Sequence, residues 1–302
     1  MRTRIRIRSL DLHLSTFIAI LLCLISCAVF AQPSSEAPRT IKDIQYITHP
    51  GSPKKLNQLD IYTPSGKGPY PVMVFIHGGS WRFGDKRMVA RKDAFFTSHG
   101  FIFVSINYRL SPEVTHPAHA QDCGAAIAWV SKNIAEHGGD PKRIYIMGHS
   151  AGAHLAALVS TDETYLKEAG ASLSAIRGAI VLDGGGYDIP KMVNSGELFA
   201  QGRYERAFGE SLSTWQNASP VKHVAKGKSI PPFLIVHAGK RVASELQAIG
   251  LRAALEAAEV KVTQYNDPGK NHLTINSDIG AQNDATSKII LDFLEAHGAT
   301  NN

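Results

Sequence analysis

A serine stands where a strand pattern meets a helix pattern, within residues 148–152, whose sequence is GHSAG. The preceding run, 143–147, is β-branched and aromatic like a buried strand, and the following stretch, 151–160, has the small residues of a packed helix. Glycines two positions before and after the serine allow neighbouring backbones to approach closely. The pattern therefore predicts an exposed nucleophile, Ser150, with an ordinary Gly/Ser turn as the alternative.

The same alternation of strand and helix patterns continues along most of the chain. Strands are predicted at 41–47, 56–62, 72–77, 101–107, 143–147, 179–182, 232–237 and 260–265, and helices at 87–98, 119–137, 151–160, 243–258 and 286–297. The inner strands are continuously apolar, as strands covered on both faces must be. We expect an α/β fold with a mostly parallel eight-stranded sheet flanked by helices.

Residues 184–231 interrupt this alternation with three consecutive glycines, scattered aromatic residues and weak amphipathic pattern. They are predicted to form a small helical insertion over the carboxyl edge of the sheet. Because ligands of open α/β sheets bind at that edge, the insertion is a candidate lid.

The first residues have the composition of an export signal. Four arginines in the first eight residues precede an apolar run at 14–30, which predicts a signal peptide over 1–31 that is cleaved after Ala31. A linker at 32–44 and a folded domain at 45–302 would follow, giving a secreted or periplasmic protein without stable membrane insertion. The alternatives are a lipoprotein anchored through Cys27, which ends the lipobox-like sequence LISC, and an uncleaved membrane helix.

Charge and cysteine content narrow the possible partners. The leader contains four arginines and Asp11, so its removal lowers the formal net charge of +6 by three. No basic run with interleaved aromatic residues is present, which argues against a nucleic-acid partner. Cys123 would be the only cysteine of the mature chain; we expect it to be buried and unable to form an internal disulfide.

A second glycine motif is a candidate for stabilising an oxyanion. The sequence HGGSW at 77–81 directly follows the predicted strand at 72–76. Glycines allow consecutive N–H groups to face one point, so Gly78 and Gly79, together with Ala151, are the predicted oxyanion donors. A plain Gly-Gly turn is the alternative.

A base for Ser150 is expected late in the chain. His272 follows the last predicted strand and a Pro-Gly turn, which would place it in a loop above the sheet edge. Chain order therefore favours His272 over the other twelve histidines.

Taken together, five segments resemble the carboxylesterase branch of the α/β-hydrolase superfamily, in particular bacterial feruloyl-esterase-like hydrolases and kynurenine formamidase. They are HGGSW at 77–81, NYRL at 107–110, HPA at 116–118, GHSAGAHL at 148–155 and GKNH at 269–272. The resemblance covers roughly residues 45–298. It implies that Ser150 and His272 are catalytic, that Gly78, Gly79 and Ala151 are oxyanion donors, and that no cofactor is needed.

The chain departs from this family at the triad acid. Family members usually place an aspartate after the strand that matches 232–237, whereas this chain has Lys240 and Arg241 there. Asp183, at the end of the predicted strand 179–182, is the favoured substitute. Glu245, Asp267 or no acid at all remain open.

These motifs predict a serine hydrolase that cleaves small-molecule carboxylic esters through an acyl-enzyme. One alternative is an amide hydrolase of the arylformamidase type. The other is a hydrolase-fold binding protein with impaired catalysis, because Lys240 and Arg241 occupy the usual place of the acid.

Overall fold

The computed structural model describes residues 37–194, 200–239 and 241–299. The predicted signal peptide at 1–31, the alternative lipid site Cys27 and the cation Lys240 lie outside the described residues. No helix in the described ranges combines the length and the apolar character needed to cross a membrane.

The described part of the chain contains an eight-stranded sheet with the order β1-β2-β4-β3-β5-β6-β7-β8. Strands β3 to β8 run parallel to one another, whereas β2 is antiparallel to both β1 and β4. The strands are β1 Arg39–Gln45, β2 Gln58–Thr63, β3 Tyr70–Ile76, β4 Ile102–Ile106, β5 Gly139–His149, β6 Ile176–Leu182, β7 Phe233–Ala238 and β8 Val262–Asp267. The predicted mostly parallel sheet is confirmed.

Helices cover the sheet and join its strands. They are α1 Lys92–Ser98, α2 Ala118–Asn133, α3 Ala151–Thr161, α4 Thr164–Glu168, α5 Ile189–Val193, α6 Ala200–Phe208, α7 Leu212–Asn217, α8 Val242–Ala257, α9 Thr274–Ser277 and α10 Ala285–Ala296. Short 3-10 helices occupy Lys54–Asn57, Ile134–His137, Leu173–Ala175 and Pro220–Lys222. The predicted insertion at 184–231 contains α5, α6 and α7, while α4 and α9 were not predicted.

The central strand β3 shows why the core has two layers. Successive side chains of a strand point to opposite faces. Val74 and Ile76 accordingly belong to one buried apolar cluster, and Met73 and Phe75 belong to another on the opposite face. Both faces are covered, so the strand is apolar throughout.

The predicted linker at 32–44 is too long. Residues 39–45 form the edge strand β1, which pairs with β2 through Thr40 and Tyr62 and again through Ile44 and Leu59. A register shift separates the two pairings. All seven residues of β1 are exposed or half-buried, which is why its composition resembled that of a linker. The folded domain therefore begins before residue 45.

Cys123 lies within α2 and is a free, fully buried thiol, as predicted. Burial raises its pKa well above the usual value, so the thiol stays protonated. It therefore behaves as a small apolar side chain of the core.

Candidate active site

Ser150 lies on a sharp turn between β5 and α3. Its backbone adopts φ 57° and ψ −119°, a region that L-residues rarely occupy. A Cβ on Gly148 would lie 2.1 Å from the carbonyl oxygen of Gly152, and a Cβ on Gly152 would lie 2.1 Å from that of Ile76. Both flanking positions therefore require glycine, and the turn holds the serine side chain at the carboxyl edge of the sheet.

Three predicted residues meet at this edge. His272, in the loop between β8 and α9, places Nε2 at 3.0 Å from Ser150 Oγ. Its other ring nitrogen, Nδ1, lies 2.6 Å from Oδ2 of Asp183, which directly follows β6. The structure thus brings Ser150, His272 and Asp183 together in the order hydroxyl, imidazole and carboxylate.

The carboxylate of Asp183 is buried and fully engaged. It accepts hydrogen bonds from Ser244 Oγ at 2.5 Å, from the Ala238 N–H at 3.2 Å and from Arg241 Nη1. Burial alone would raise the pKa of Asp183. Hydrogen bonds from His272 and Ser244, together with the Arg241 charge, outweigh burial and hold the pKa well below its usual range. Asp183 is therefore ionised at neutral pH.

The other two candidate acids lie elsewhere. Glu245 occupies the first turn of α8 and does not line the cavity above Ser150. Asp267 accepts hydrogen bonds from Thr286 Oγ1 at 2.9 Å and from the Gly269 N–H at 3.2 Å. It shapes the turn that leads to His272 and makes no hydrogen bond to the imidazole.

Arg241, the cation expected near His272, contacts both members of the pair. Its Nη1 donates to Asp183 and also lies 2.6 Å from Nδ1 of His272. Nδ1 can donate a proton to Asp183 or accept one from Arg241, but one nitrogen cannot do both at once. Two hydrogen-bonding arrangements therefore compete at His272.

The glycine motif after β3 lies beside Ser150. A Cβ on Gly78 would be 3.1 Å from the Ser150 Cβ, so this glycine permits close approach. Ser80 and Ala151 line the cavity, whereas Gly78 and Gly79 do not. The N–H groups of Gly79 and Ser80 donate to no acceptor within the described ranges. Ser80 was not among the predicted oxyanion donors. Its position directly after two glycines is the sequence feature that could have indicated it.

His149 also has a role that was not predicted. Its Nε2 lies 2.7 Å from the carbonyl oxygen of His272, and the two imidazole rings are 4.7 Å apart between centroids. Burial lowers the pKa of His149 to about 3. The ring is therefore neutral, and its N–H holds the loop that carries His272.

The helical insertion contributes one wall of the cavity, which has a volume of about 310 Å³. Met192 from α5 and Arg203 and Tyr204 from α6 line it. Trp81 packs against Tyr204, with ring centroids 5.6 Å apart, which fixes α6 beside the loop after β3. Within the described ranges, no three His, Cys, Asp or Glu side chains are grouped so as to hold a metal ion.

Comparisons with known proteins agree with this architecture. Esterase LipQ of Mycobacterium tuberculosis is 32% identical over 79% of this chain and 59% of its own length. Isoprenylcysteine α-carbonyl methylesterase ICME of Arabidopsis thaliana is 32% identical over 66% of this chain and 52% of its own length. The chain thus spans about half the length of these relatives.

Solved structures share the fold. A truncated carbohydrate esterase from gut microbiota superposes with a TM-score of 0.71 at 24% identity, covering 89% of this chain and 99% of that one. The expected α/β-hydrolase fold is confirmed. The sequence model of the BD-FAE family matches residues 59–246, a span that runs from β2 into α8 and includes Ser150 and Asp183. This chain therefore belongs to the BD-FAE family.

Proposed function

We propose that this protein is a serine carboxylesterase that cleaves small carboxylic esters through an acyl-enzyme. The observation that carries the proposal is the continuous chain of contacts from Ser150 Oγ through His272 to the ionised Asp183. A serine hydroxyl is a weak nucleophile unless an adjacent base takes its proton, and the 3.0 Å distance from His272 Nε2 to Ser150 Oγ supports that role for His272. The esterase names of the relatives support the same reaction class.

These contacts support a reaction in two stages, acylation and deacylation. Ser150 Oγ forms a bond to the ester carbonyl carbon while its proton moves to Nε2 of His272, and Asp183 stabilises the resulting imidazolium. The proton then passes to the alcohol oxygen as the carbon–oxygen bond breaks. Water, deprotonated by the same Nε2, then forms a bond to the acyl carbon; the bond to Ser150 Oγ breaks, Nε2 returns the proton to Oγ, and the acid is released.

Charge that develops on the carbonyl oxygen needs fixed donors. The predicted donors are the N–H groups of Gly78, Gly79 and Ala151. To these we add the N–H of Ser80, because Ser80 lines the cavity and its N–H, like that of Gly79, has no acceptor within the described ranges.

A fluorophosphonate probe tests the proposal directly. The probe reacts with activated serines, so we expect covalent labelling of the wild type and none of Ser150→Ala. Ser98→Ala, at an exposed helix end, is the matched control and should label like the wild type. Unlabelled wild-type protein of native circular dichroism would instead favour a hydrolase-fold binding protein with impaired catalysis.

Export remains a separate proposal. The composition of residues 1–31 supports cleavage after Ala31, which leaves a soluble protein that starts at Gln32. Mass spectrometry of the mature protein tests this. A diacylglyceryl group on Cys27 would show that the protein is an anchored lipoprotein instead.

A further inference from the structure

Helix α8, which joins β7 to β8, is apolar on two opposite faces. Its inner face, with Leu251 and Leu255, is buried in the apolar core. Its outer face carries Val242, Leu246 and Ile249, whose exposed fractions are 66%, 52% and 41%. A helix that only covers its own sheet needs one apolar face, so the outer face requires a separate explanation.

The exposed apolar residues of α8 form one continuous row, the outer stripe, which consists of Val242, Leu246, Ile249 and Ala253. Their spacing of four, three and four positions places them above one another on one side of a helix. Among the described residues, seven large apolar side chains are exposed, and three of them lie in this stripe. Single exposed apolar residues are ordinary, whereas a row with this spacing is typical of a helix that packs against a second helix.

Two copies of the outer stripe match when the helices run antiparallel. A two-fold axis midway between Leu246 and Ile249 sets Leu246 level with Ile249 of the second copy, and Val242 level with Ala253 of the second copy. These levels follow from the constant rise of about 1.5 Å per residue. Each layer then contains apolar side chains from both copies, and the contact removes them from water together.

The charges beside the outer stripe favour the same antiparallel arrangement. Glu245 and Arg252 are seven positions apart, so they lie on one flank of the stripe. Around the same axis, Glu245 comes within about 3 Å, measured along the helix, of Arg252 of the second copy. Within the described ranges, Glu245 forms no ion pair, and the one ion pair of Arg252 is a 3.8 Å contact with Glu256. In a parallel pair, these charges would instead face the opposite flank, where positions 250 and 257 are a glycine and an alanine.

We propose that this protein forms a symmetric dimer in which two copies of α8 pack antiparallel through the outer stripe. The partner is a second copy because the stripe and its charges complement themselves, as a two-fold contact requires. A lipid surface fits less well, since membrane-binding helices flank their apolar face with cations, whereas α8 has two glutamates and one arginine. The stripe is small compared with a standard interface, so we expect a dissociation constant in the micromolar range. No residue of the stripe lines the cavity above Ser150, and the proposal does not depend on the esterase function.

Analytical ultracentrifugation of the purified protein over about 5–200 μM tests the proposal, and we expect a reversible monomer–dimer equilibrium. Leu246→Glu places a charge in the central layer of the contact and should weaken dimerisation about tenfold or more. Leu212→Glu changes a leucine of α7 that is 56% exposed. This variant is the matched control and should keep the wild-type dissociation constant. Circular dichroism establishes that each variant is folded.

Charge reversal tests the antiparallel register. Glu245→Arg sets two arginines against each other at both symmetric contacts, and Arg252→Glu does the same with two glutamates. Each single variant should therefore weaken the dimer about tenfold. The double variant with both changes restores opposite charges, so its dissociation constant should lie within about threefold of the wild-type value.

Several results would overturn the proposal. One is a wild type that stays monomeric at about 200 μM. Others are a dimer that Leu246→Glu leaves intact, and a double charge variant that dimerises no more tightly than the single ones. If the wild type were monomeric and sedimented with vesicles of phosphatidylcholine and phosphatidylglycerol, and Leu246→Glu did not, the outer stripe would bind a lipid surface instead.

Discussion

The two sides of the candidate site are held in different ways. On the nucleophile side, the backbone places Ser150, since the Gly148 and Gly152 positions leave no space for a Cβ. On the acid–base side, side chains do the positioning: Asp183 and His272 are 89 positions apart and meet through hydrogen bonds. A backbone constraint leaves a sequence pattern in five consecutive residues. A side-chain network joins residues that are far apart in the sequence, so it leaves no pattern of neighbouring residues. Substitutions can disrupt each side separately.

The largest expected effect is loss of the carboxylate on the acid–base side. Asp183→Asn should lower kcat by about 10⁴-fold, because the amide cannot hold the required tautomer or stabilise the imidazolium. An ester assay at pH 7.5 on protein with native circular dichroism measures it. Glu245→Gln, which alters a rival acid outside the cavity, is the control and should retain full activity. A silent Asp183→Asn would assign the acid elsewhere.

On the nucleophile side, Gly152→Ala should lower the free energy of unfolding by about 3 kcal/mol or more, because the new Cβ meets the Ile76 carbonyl oxygen at 2.1 Å. Urea denaturation measures the change. Gly250→Ala, within α8 and with nothing within 4 Å of its added Cβ, is the matched control. It should stabilise the protein by about 0.5–1 kcal/mol, since alanine favours helix more than glycine does. Similar losses in both variants would refute the steric argument.

Lowering the pH should destabilise the nucleophile side because of the buried His149. Burial lowers its pKa from 6.5 to about 3, so between these values the unfolded chain binds a proton that the folded protein does not. The corresponding stability is present above pH 6.5 and is lost as pH falls toward 3. At pH 5 the loss from this one group is about 2 kcal/mol.

Urea denaturation at pH 7 and pH 5 tests the linkage. His149→Gln removes the titrating group, so its loss of stability between the two pH values should be smaller than that of the wild type. His99→Gln, an exposed histidine at the end of α1, is the control. If the His149→Gln and wild-type curves ran parallel across this range, the buried ring would not be the cause.

The smallest expected effect concerns a supporting hydroxyl on the acid–base side. Ser244 Oγ donates a hydrogen bond to Asp183 Oδ1 at 2.5 Å, and Ser244→Ala removes this hydrogen bond. We expect kcat to decrease about tenfold, or ~1.4 kcal/mol in activation free energy, with KM for a neutral ester little changed. Steady-state kinetics measures both. A change confined to KM would place Ser244 in binding rather than in positioning.

Sequence reasoning succeeded where neighbours along the chain determine structure. All eight strands and the Ser150 turn follow from local patterns of apolar residues and glycines. The edge strand β1 was partly assigned to a linker because none of its residues is buried, so its sequence lacks the apolar character of an inner strand. Helices α4 and α9, with five and four residues, are too short to show a helical period.

The supporting residues of the site could not be found in this way. Chain order favoured His272 and strand ends favoured Asp183, and the structure brings both to Ser150. Ser244 and His149 act through contacts between elements that are distant in sequence, namely β6 with α8 and the β5 end with the β8–α9 loop. No spacing along one chain encodes such contacts, because they depend on how the elements pack.

The position of Asp183 at the end of β6 has an evolutionary consequence. Where the acid follows β7, the connection from β7 to α8 must keep a carboxylate and is constrained by catalysis. With Asp183 as the proposed acid, the β7–α8 connection has no such duty here, and Arg241 lies in it. Selection can then exchange Arg241 for residues of other charge or size without removing the acid. A proposed acid placed one strand earlier thus leaves this connection open to substitutions that alter the charge of the cavity.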